Sequence, residues 1–526
     1  MERAIARAGL FLAGLAFYWG GIPFVLLIAG ERIGLKSIPA WIGAPFGGGL
    51  IALGGLGAVW CTVTIYLRGG GFPIAFMPPK RLVQAGPYGF SRHPLYISFL
   101  LYLLGLGLVF RSAGTVVLIP GIGIVIALYA RFHEERVLER KFGAEYAAYR
   151  RVVPFGFRYR RGVPGPGLLF ALVYLVGKPI LRALFPTRVQ GKENLPQTGP
   201  ALLIANHSSY LDPLFIFAAA DRYIRFLAKS ELMRSGFGRW FFTRTGTIPT
   251  SRYRVDPGAV RGLLSALQAG EIVGIFPEGE RTWDGNPLPV PSQVRRILAR
   301  AGVPIIPVRI TGGYVIYPRW ADYPLPGPLT VEFFPPLPPP HTAADIDKAL
   351  SCIAAQATGM TLFPRSARGI ELVLWACPHC HEIGVIEPHR RNVRCRKCGA
   401  EWRLDRKLRL HPRTGAPVTI GALSASIPVD EIIENRESLN SIGEVDVFTG
   451  NGALEPVGTG TVMYRAGEIR LDGTAFPLAD ARILRMEGKD RLDIGFSGGR
   501  RLRLRFHRDS PLKWALFLER KLGRKA

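Results

Sequence analysis

Cysteine is scarce in this chain. Six among 526 residues, unevenly placed, exclude a disulfide framework. Four of them form two Cys-x-x-Cys pairs near the end, and Cys61 lies inside an apolar run. That pattern points to metal ligation in a reducing compartment. Charged residues are sparse too, at 20% beside 48% hydrophobic, which excludes an ordinary soluble protein of this length. Acidic residues are scarcest among the charges: 39 against 67 lysines and arginines leave a net charge of +28. Such a balance attracts nucleic acid or anionic lipid headgroups alike, and the apolar runs beside the basic stretches favour lipid. Internal repeats are absent. The length predicts roughly three or four domains.

Ala8–Gly30 and Ile42–Leu67 are uncharged apolar runs long enough to cross a bilayer. Pro94–Phe110 and Ser112–Ala130 are shorter runs split by Arg111, read as a helical hairpin. Arg3 and Arg7 before the first run also fit a signal peptide, but three further spans favour a retained helix. The loop after the first run carries Glu31, Arg32 and Lys36, whereas the next carries Arg68, Lys80, Arg81 and Arg92 with no acid. The positive-inside rule then places the N-terminus, that second loop and everything beyond about residue 131 in the cytoplasm of a cell-membrane protein with about four spans.

A Gly/Pro linker at 162–167 follows, then an apolar stretch at 168–185 that contains Lys178, Pro179 and Arg182 and reads as an interfacial helix. From about 188 to 365, strands at 201–205, 272–276 and 303–310 alternate with helices at 257–270 and 292–301, an α/β layout. Residues 371–402 form a Cys-rich module. Strands at 460–464, 482–486, 491–496 and 502–506 precede a helix capped by Ser510-Pro511. The predicted domains are therefore 1–160 (α-helical, membrane), 166–365 (α/β), 371–402 (metal ribbon) and 440–526 (small, β-rich, with a C-terminal helix).

Asn206-His-Ser-Ser-Tyr-Leu-Asp212 follows a predicted strand. The spacing can set the Asp212 carboxylate beside the His207 imidazole, where it would hold the tautomer of a general base. Alone, the pattern also fits a surface histidine beside a helix cap. Downstream stand Gly246-Thr-Ile-Pro-Thr-Ser-Arg252, Phe276-Pro-Glu-Gly-Glu-Arg-Thr282 and Val303-Pro-Ile-Ile-Pro-Val308. An arginine fork suits phosphate, and Gly279 allows close backbone approach to a ligand. Together and in this order, with the lead-in Gly191-Lys-Glu-Asn-Leu-Pro196, these segments resemble the four blocks of the glycerolipid acyltransferase (PlsC-like) family.

The resemblance implies membrane-bound transfer of an acyl chain from acyl-CoA or acyl-carrier protein to a lysoglycerolipid hydroxyl, by default 1-acylglycerol-3-phosphate. It makes His207 the base and Asp212 its partner, with Asn206, Arg252, Glu278, Gly279, Arg281 and Thr282 around the substrate. Glu280 departs from the family, which usually has a small residue there. A carboxylate beside a phosphate would repel it, which allows another acceptor.

At the predicted membrane mouth lie Gly86-Pro-Tyr-Gly-Phe-Ser-Arg-His-Pro-Leu-Tyr96 and His133-Glu-Glu-Arg136. On chemistry alone these also fit a charge belt that anchors helices. As a set they resemble the isoprenylcysteine carboxyl methyltransferase and phospholipid methyltransferase family over about 45–155. That resemblance implies an S-adenosylmethionine site at Arg92, His93, Tyr96, Glu134 and Glu135.

Cys377-Pro-His-Cys380 and Cys395-Arg-Lys-Cys398 have the spacing of a zinc ribbon, with four thiolates for a structural Zn2+ and no open position for catalysis. The last segment loosely resembles a pleckstrin-homology or GRAM-type barrel. Two other readings stay open at this level. One makes methylation the main activity, and the other makes the ribbon and basic tail a non-enzymatic adaptor. Nucleic acid is not indicated, because no basic surface interleaved with aromatics is evident.

Overall fold

The computed structural model describes residues 13–523 apart from 15, 36, 74–76, 157–167, 169–170, 172, 197–198, 251–255, 355–357, 449–453 and 498. The Gly/Pro linker and Arg252 lie outside the described residues.

The N-terminal part is helical. Ile22–Arg32, Ala40–Thr64, Pro94–Val109 and Ala113–Tyr129 are apolar helices, and the last runs on through Glu135–Val152 with a break at Gly143. Glycine brings two of these helices together. A Cβ on Gly105 would stand 2.7 Å from the Gly47 carbonyl oxygen, and one on Gly54 would stand 2.5 Å from that of Ser98. Helices Ala40–Thr64 and Pro94–Val109 therefore meet backbone to backbone, as helices in lipid do. Among the described residues, two helices are long and apolar enough to cross a membrane, Pro45–Gly69 and Ala113–Val152. Of the four spans expected from hydropathy, the second and the fourth meet that length. Pro94–Val109 is short because the chain turns at Arg111 (φ 58°), and residues 8–12 and 15 of the first run lie outside the described residues.

The helix Lys178–Leu184 turns Lys178 inward. Lys178 pairs with Asp221 at 2.9 Å and donates to the Ala220 carbonyl, and Arg182 donates to the Ala218 carbonyl. Leu175, Val176, Ile180 and Leu184 face outward. Asp221 draws Lys178 onto the α/β body, and the apolar side is left exposed.

Seven strands form the α/β sheet: β1 (Thr187–Gln190), β2 (Ala201–Ala205), β3 (Ile224–Lys229), β4 (Ile248–Thr250), β5 (Ile272–Ile275), β6 (Ile305–Thr311) and β7 (Leu329–Phe333), in the order β1-β7-β6-β2-β5-β3-β4. Every residue of β2 is buried, as a central strand covered on both faces requires. The predicted strands and helices stand where expected to within about two residues. β1, β3, β4 and β7 were not anticipated; β1 and β4 are only four and three residues long, and Pro249 lies inside β4.

The cysteines sit in a five-stranded sheet that continues to Val418–Thr419, and its core includes Trp375, Trp402 and Leu404. Residues Ser438–Phe506 form a seven-stranded antiparallel sheet on which the helix Pro511–Lys521 packs through Trp514, Phe517 and Leu518. Its centre holds a buried two-pronged ion pair, with Arg503 Nε and a terminal nitrogen each 2.6 Å from Asp493.

Candidate active site

In an open α/β sheet, ligands bind beyond the carboxyl ends of the strands where the strand order reverses. Here that point is β2, with β5 and β6 parallel on either side. Asn206 closes the end of β2 by exchanging two hydrogen bonds with the backbone of Ile310 on β6, at 3.0 and 2.7 Å. His207 comes next and lies outside the sheet. Its ring stacks on Phe276, just past β5, with centroids 4.2 Å apart.

Asp212 opens the helix Asp212–Ala219, with Pro213 in the first turn. Its carboxylate is fully buried, and Oδ2 accepts three hydrogen bonds: from His207 Nδ1 at 2.9 Å, Ser208 N at 2.7 Å and Ser209 N at 2.8 Å. A carboxylate oxygen so placed makes Nδ1 the donor, and Nε2 is then the basic nitrogen. That is the tautomer a general base needs.

The segment after β5 is stapled around His207. Glu278 accepts the His207 backbone N–H at 3.0 Å and the Leu288 N–H at 3.1 Å, while Thr282 N donates to the His207 carbonyl at 3.1 Å. Burial pushes the Glu278 carboxyl up to about 7, against the opposing pull of those two N–H donors. Gly279 has φ +73°, which L side chains rarely adopt. Thr282 closes a turn with Asp284 and Gly285. The Arg281 guanidinium is buried 3.2 Å above the Tyr210 ring.

Glu280 does not stand as expected. Its carboxylate pairs with Arg319 at 3.3 Å, and Arg319 also donates to the carbonyls of Arg281, Met486 and Gly488, each at 2.9 Å. The charge expected to repel phosphate is thus matched by a buried guanidinium. Arg319 joins the 276–282 segment to the C-terminal sheet, helped by the Lys229–Glu487 pair at 2.6 Å and by Trp283 Nε1 donating to Met486 Sδ. Sequence reasoning missed Arg319, since no local motif marks it. It also missed Tyr210 and Phe276 as platforms, although both lie within the quoted blocks.

All five residues of the second predicted site come together. Glu135 is buried between Arg92 at 2.7 Å, Arg131 at 2.9 Å and His93 at 3.4 Å. Glu134 accepts from the Tyr96 hydroxyl at 2.8 Å and faces His93 Nδ1 at 3.6 Å. Phe155 lies against the His93 ring at 4.8 Å. Glu135 is consumed by its partners, whereas Glu134 keeps a third of its side chain open. An exposed carboxylate with aromatic neighbours suits a sulfonium cation.

The four thiols of the ribbon lie within 4.8 Å of one another, and the pairs Cys377–Cys398 and Cys380–Cys395 are each 3.7 Å apart. Tetrahedral zinc with bonds of about 2.3 Å sets its sulfurs about 3.8 Å apart. The group could hold such an ion.

Comparison with known proteins finds two family matches in the chain. An acyltransferase family model covers residues 186–311, and a phospholipid methyltransferase model covers 44–145. The chain carries both domains. Its acyltransferase part is 29% identical over 141 residues to a chloroplastic 1-acyl-sn-glycerol-3-phosphate acyltransferase of Brassica napus, covering 26% of this chain and 41% of that protein. It is 32% identical over 112 residues to the 1-acyl-sn-glycerol-3-phosphate acyltransferase of Bacillus subtilis, covering 21% and 56%. The chain thus spans about half the length of the curated relatives it matches. Among solved structures it aligns with the LPA acyltransferase PlsC of Thermotoga maritima at 24% identity and a TM-score of 0.31, over 44% of this chain and 88% of that one. Of the acyltransferase domain's predicted site residues, only Arg252 lies outside the described residues.

Proposed function

We propose that the protein is a membrane-bound O-acyltransferase that moves an acyl chain from a thioester, acyl-CoA or acyl-carrier protein, to the free hydroxyl of a lysoglycerolipid. The observation that carries this reading is the contact between His207 Nδ1 and the buried Asp212. His207 Nε2 takes the proton as the acceptor oxygen attacks the thioester carbonyl. The C–O bond forms, the C–S bond breaks, and the proton passes to the departing sulfur. Asp212 steadies the transient imidazolium, and no serine or cysteine nucleophile is needed. Arg281 and Arg252 hold the acceptor's phosphate, with 1-acylglycerol-3-phosphate as the default acceptor. Asn206, Glu278, Gly279 and Thr282 shape the site through the backbone. Pairing of Glu280 with Arg319 supports that default, since it removes the expected repulsion.

Four spans, a cytoplasmic N-terminus and cytoplasmic catalytic domains are part of this reading. The structural Zn2+ is held by Cys377, Cys380, Cys395 and Cys398, and the C-terminal sheet is PH- or GRAM-like. The test is acyl transfer from radiolabelled acyl-CoA and acyl-carrier protein to a panel of lysolipids. Transfer lost in His207→Ala supports the reading. Undiminished transfer by that variant, or none by the wild type with either donor, sinks it.

A second activity, methylation from S-adenosylmethionine, is favoured by the convergence of Arg92, His93, Tyr96, Glu134 and Glu135. The cofactor would supply the methyl group, and Glu134 would face its sulfonium. Calorimetric binding of S-adenosylmethionine that disappears in Glu134→Ala supports this. No binding by the wild type removes it.

A further inference from the structure

The helix Gly236–Arg244 in the acyltransferase domain is hard to explain by protein packing. Its nine residues, Gly-Phe-Gly-Arg-Trp-Phe-Phe-Thr-Arg, include two glycines and are too short to hold a helix in water on propensity alone. Only Gly238 is buried. Phe237 is 73% exposed and Trp240 43%, and Leu232 projects just ahead of them. The rings cohere with one another instead of with a core: Phe237 lies 5.8 Å from Trp240 and 6.0 Å from Phe241. Arg239 and Arg244 are exposed among these rings, and Arg244 sits 5.3 Å over Trp240. The helix carries no acidic residue. Large aromatics interleaved with arginine are what the headgroup layer of a bilayer selects, the rings at the acyl boundary and the guanidinium groups on phosphate.

The location agrees. Arg68, at the end of the apolar helix Pro45–Gly69, pairs with the buried Glu271 at 2.6 Å. The other oxygen of Glu271 meets Arg225 at 3.2 Å, and Arg225 Nε donates to the Gly246 carbonyl at 2.6 Å, two residues past the helix. Tyr223, under the Arg68 guanidinium, donates to the Thr245 carbonyl at 3.1 Å. A short chain of polar contacts therefore ties the aromatic helix to the mouth of a membrane-crossing helix. Where that mouth meets headgroups, so does Gly236–Arg244.

We propose that Gly236–Arg244 docks on the surface of the bilayer that holds the protein, with Phe237 and Trp240 inserted and Arg239 and Arg244 on anionic phosphates. This would hold the acyltransferase domain against the leaflet in which its lipid substrate resides. The proposal rests on Pro45–Gly69 crossing the membrane.

Amide hydrogen exchange tests it, on the full chain reconstituted in phosphatidylcholine vesicles with and without phosphatidylglycerol. Peptides over 231–246 should exchange about thirtyfold more slowly in the charged vesicles, as two arginines near an anionic surface predict. The double variant F237S/W240S should lose that protection in both. Arg239→Glu, which keeps the rings and so guards against misfolding, should abolish the difference between the vesicles. Equal exchange in wild type and F237S/W240S overturns the proposal. Peptides over Pro45–Gly69 serve as the control. If they stay protected while 231–246 does not respond, only the docking fails. If they exchange freely, the membrane reading itself fails.

Discussion

Asp212→Asn isolates one physical quantity at the proposed acyltransferase centre. All three donors converge on a single carboxylate oxygen, Oδ2. An asparagine can place its amide oxygen there and keep every bond, because turning nitrogen inward would face three N–H groups. The new NH2 then occupies the Oδ1 position, which is buried without a hydrogen-bond partner and sits near Gly313. Geometry and tautomer survive, so what is lost is the charge opposite the imidazolium.

A hydrogen bond to a charged group contributes about 1.5–3 kcal/mol and one to a neutral group about 1, so at this buried pair the lost charge is worth about 2 kcal/mol. At about 1.4 kcal/mol per tenfold, kcat should fall by roughly thirtyfold while acceptor KM changes by less than about threefold. Asp212→Ala should fall further, since it also frees the Ser208 and Ser209 N–H groups and the ring. The assay is steady-state transfer from radiolabelled acyl-CoA to reconstituted protein, with thermal midpoints as the folding control. An Asp212→Asn enzyme within about threefold of wild-type kcat would refute the role of the carboxylate charge.

Glu278 sets a pH dependence of stability. Its carboxyl is raised to about 7 in the folded chain, so the folded state holds the proton more tightly than the unfolded one. Stability is fully present below about 4.5 and declines as pH rises to about 7, by about 3 kcal/mol at most. Wild type should therefore lose thermal midpoint relative to Glu278→Gln across that window, and parallel curves would contradict the assignment. Arg319→Lys keeps the charge but cannot span four acceptors from one nitrogen. Acceptor KM should rise about tenfold through displacement of Arg281, with kcat within about threefold and a lowered midpoint. An unchanged KM would leave Arg319 a purely structural link. Cys395→Ser should reduce bound zinc, measured by atomic absorption, from one ion per chain to none, and a metal content that does not change would dismiss the ribbon.

Much of the site was legible from local spacing. His207 and Asp212 are five residues apart, so a strand end followed by a helix start suffices to bring them together. The two Cys-x-x-Cys knuckles are legible for the same reason, whereas Glu134 and Glu135 stood out only through a family resemblance, because their partners Arg92, His93 and Tyr96 lie about 40 residues away. Hydropathy likewise marked the apolar helices, because burial in lipid is a property of a single segment. Their number as spans was less secure, since length depends on where a turn such as Arg111 interrupts the helix.

Only the tertiary structure decided what lies far apart in the chain. Glu280 looked like a repulsive charge beside a phosphate until Arg319, held in turn by Met486 and Gly488, was found opposite it. Nothing in the sequence near Lys178 marks Asp221, 43 residues on, as its partner. A side chain's charge is written in the sequence, but its effect depends on which partner folding brings within a few ångströms. In a buried site of low dielectric that partner determines whether the charge repels a ligand, supports a domain or holds a catalytic ring in place.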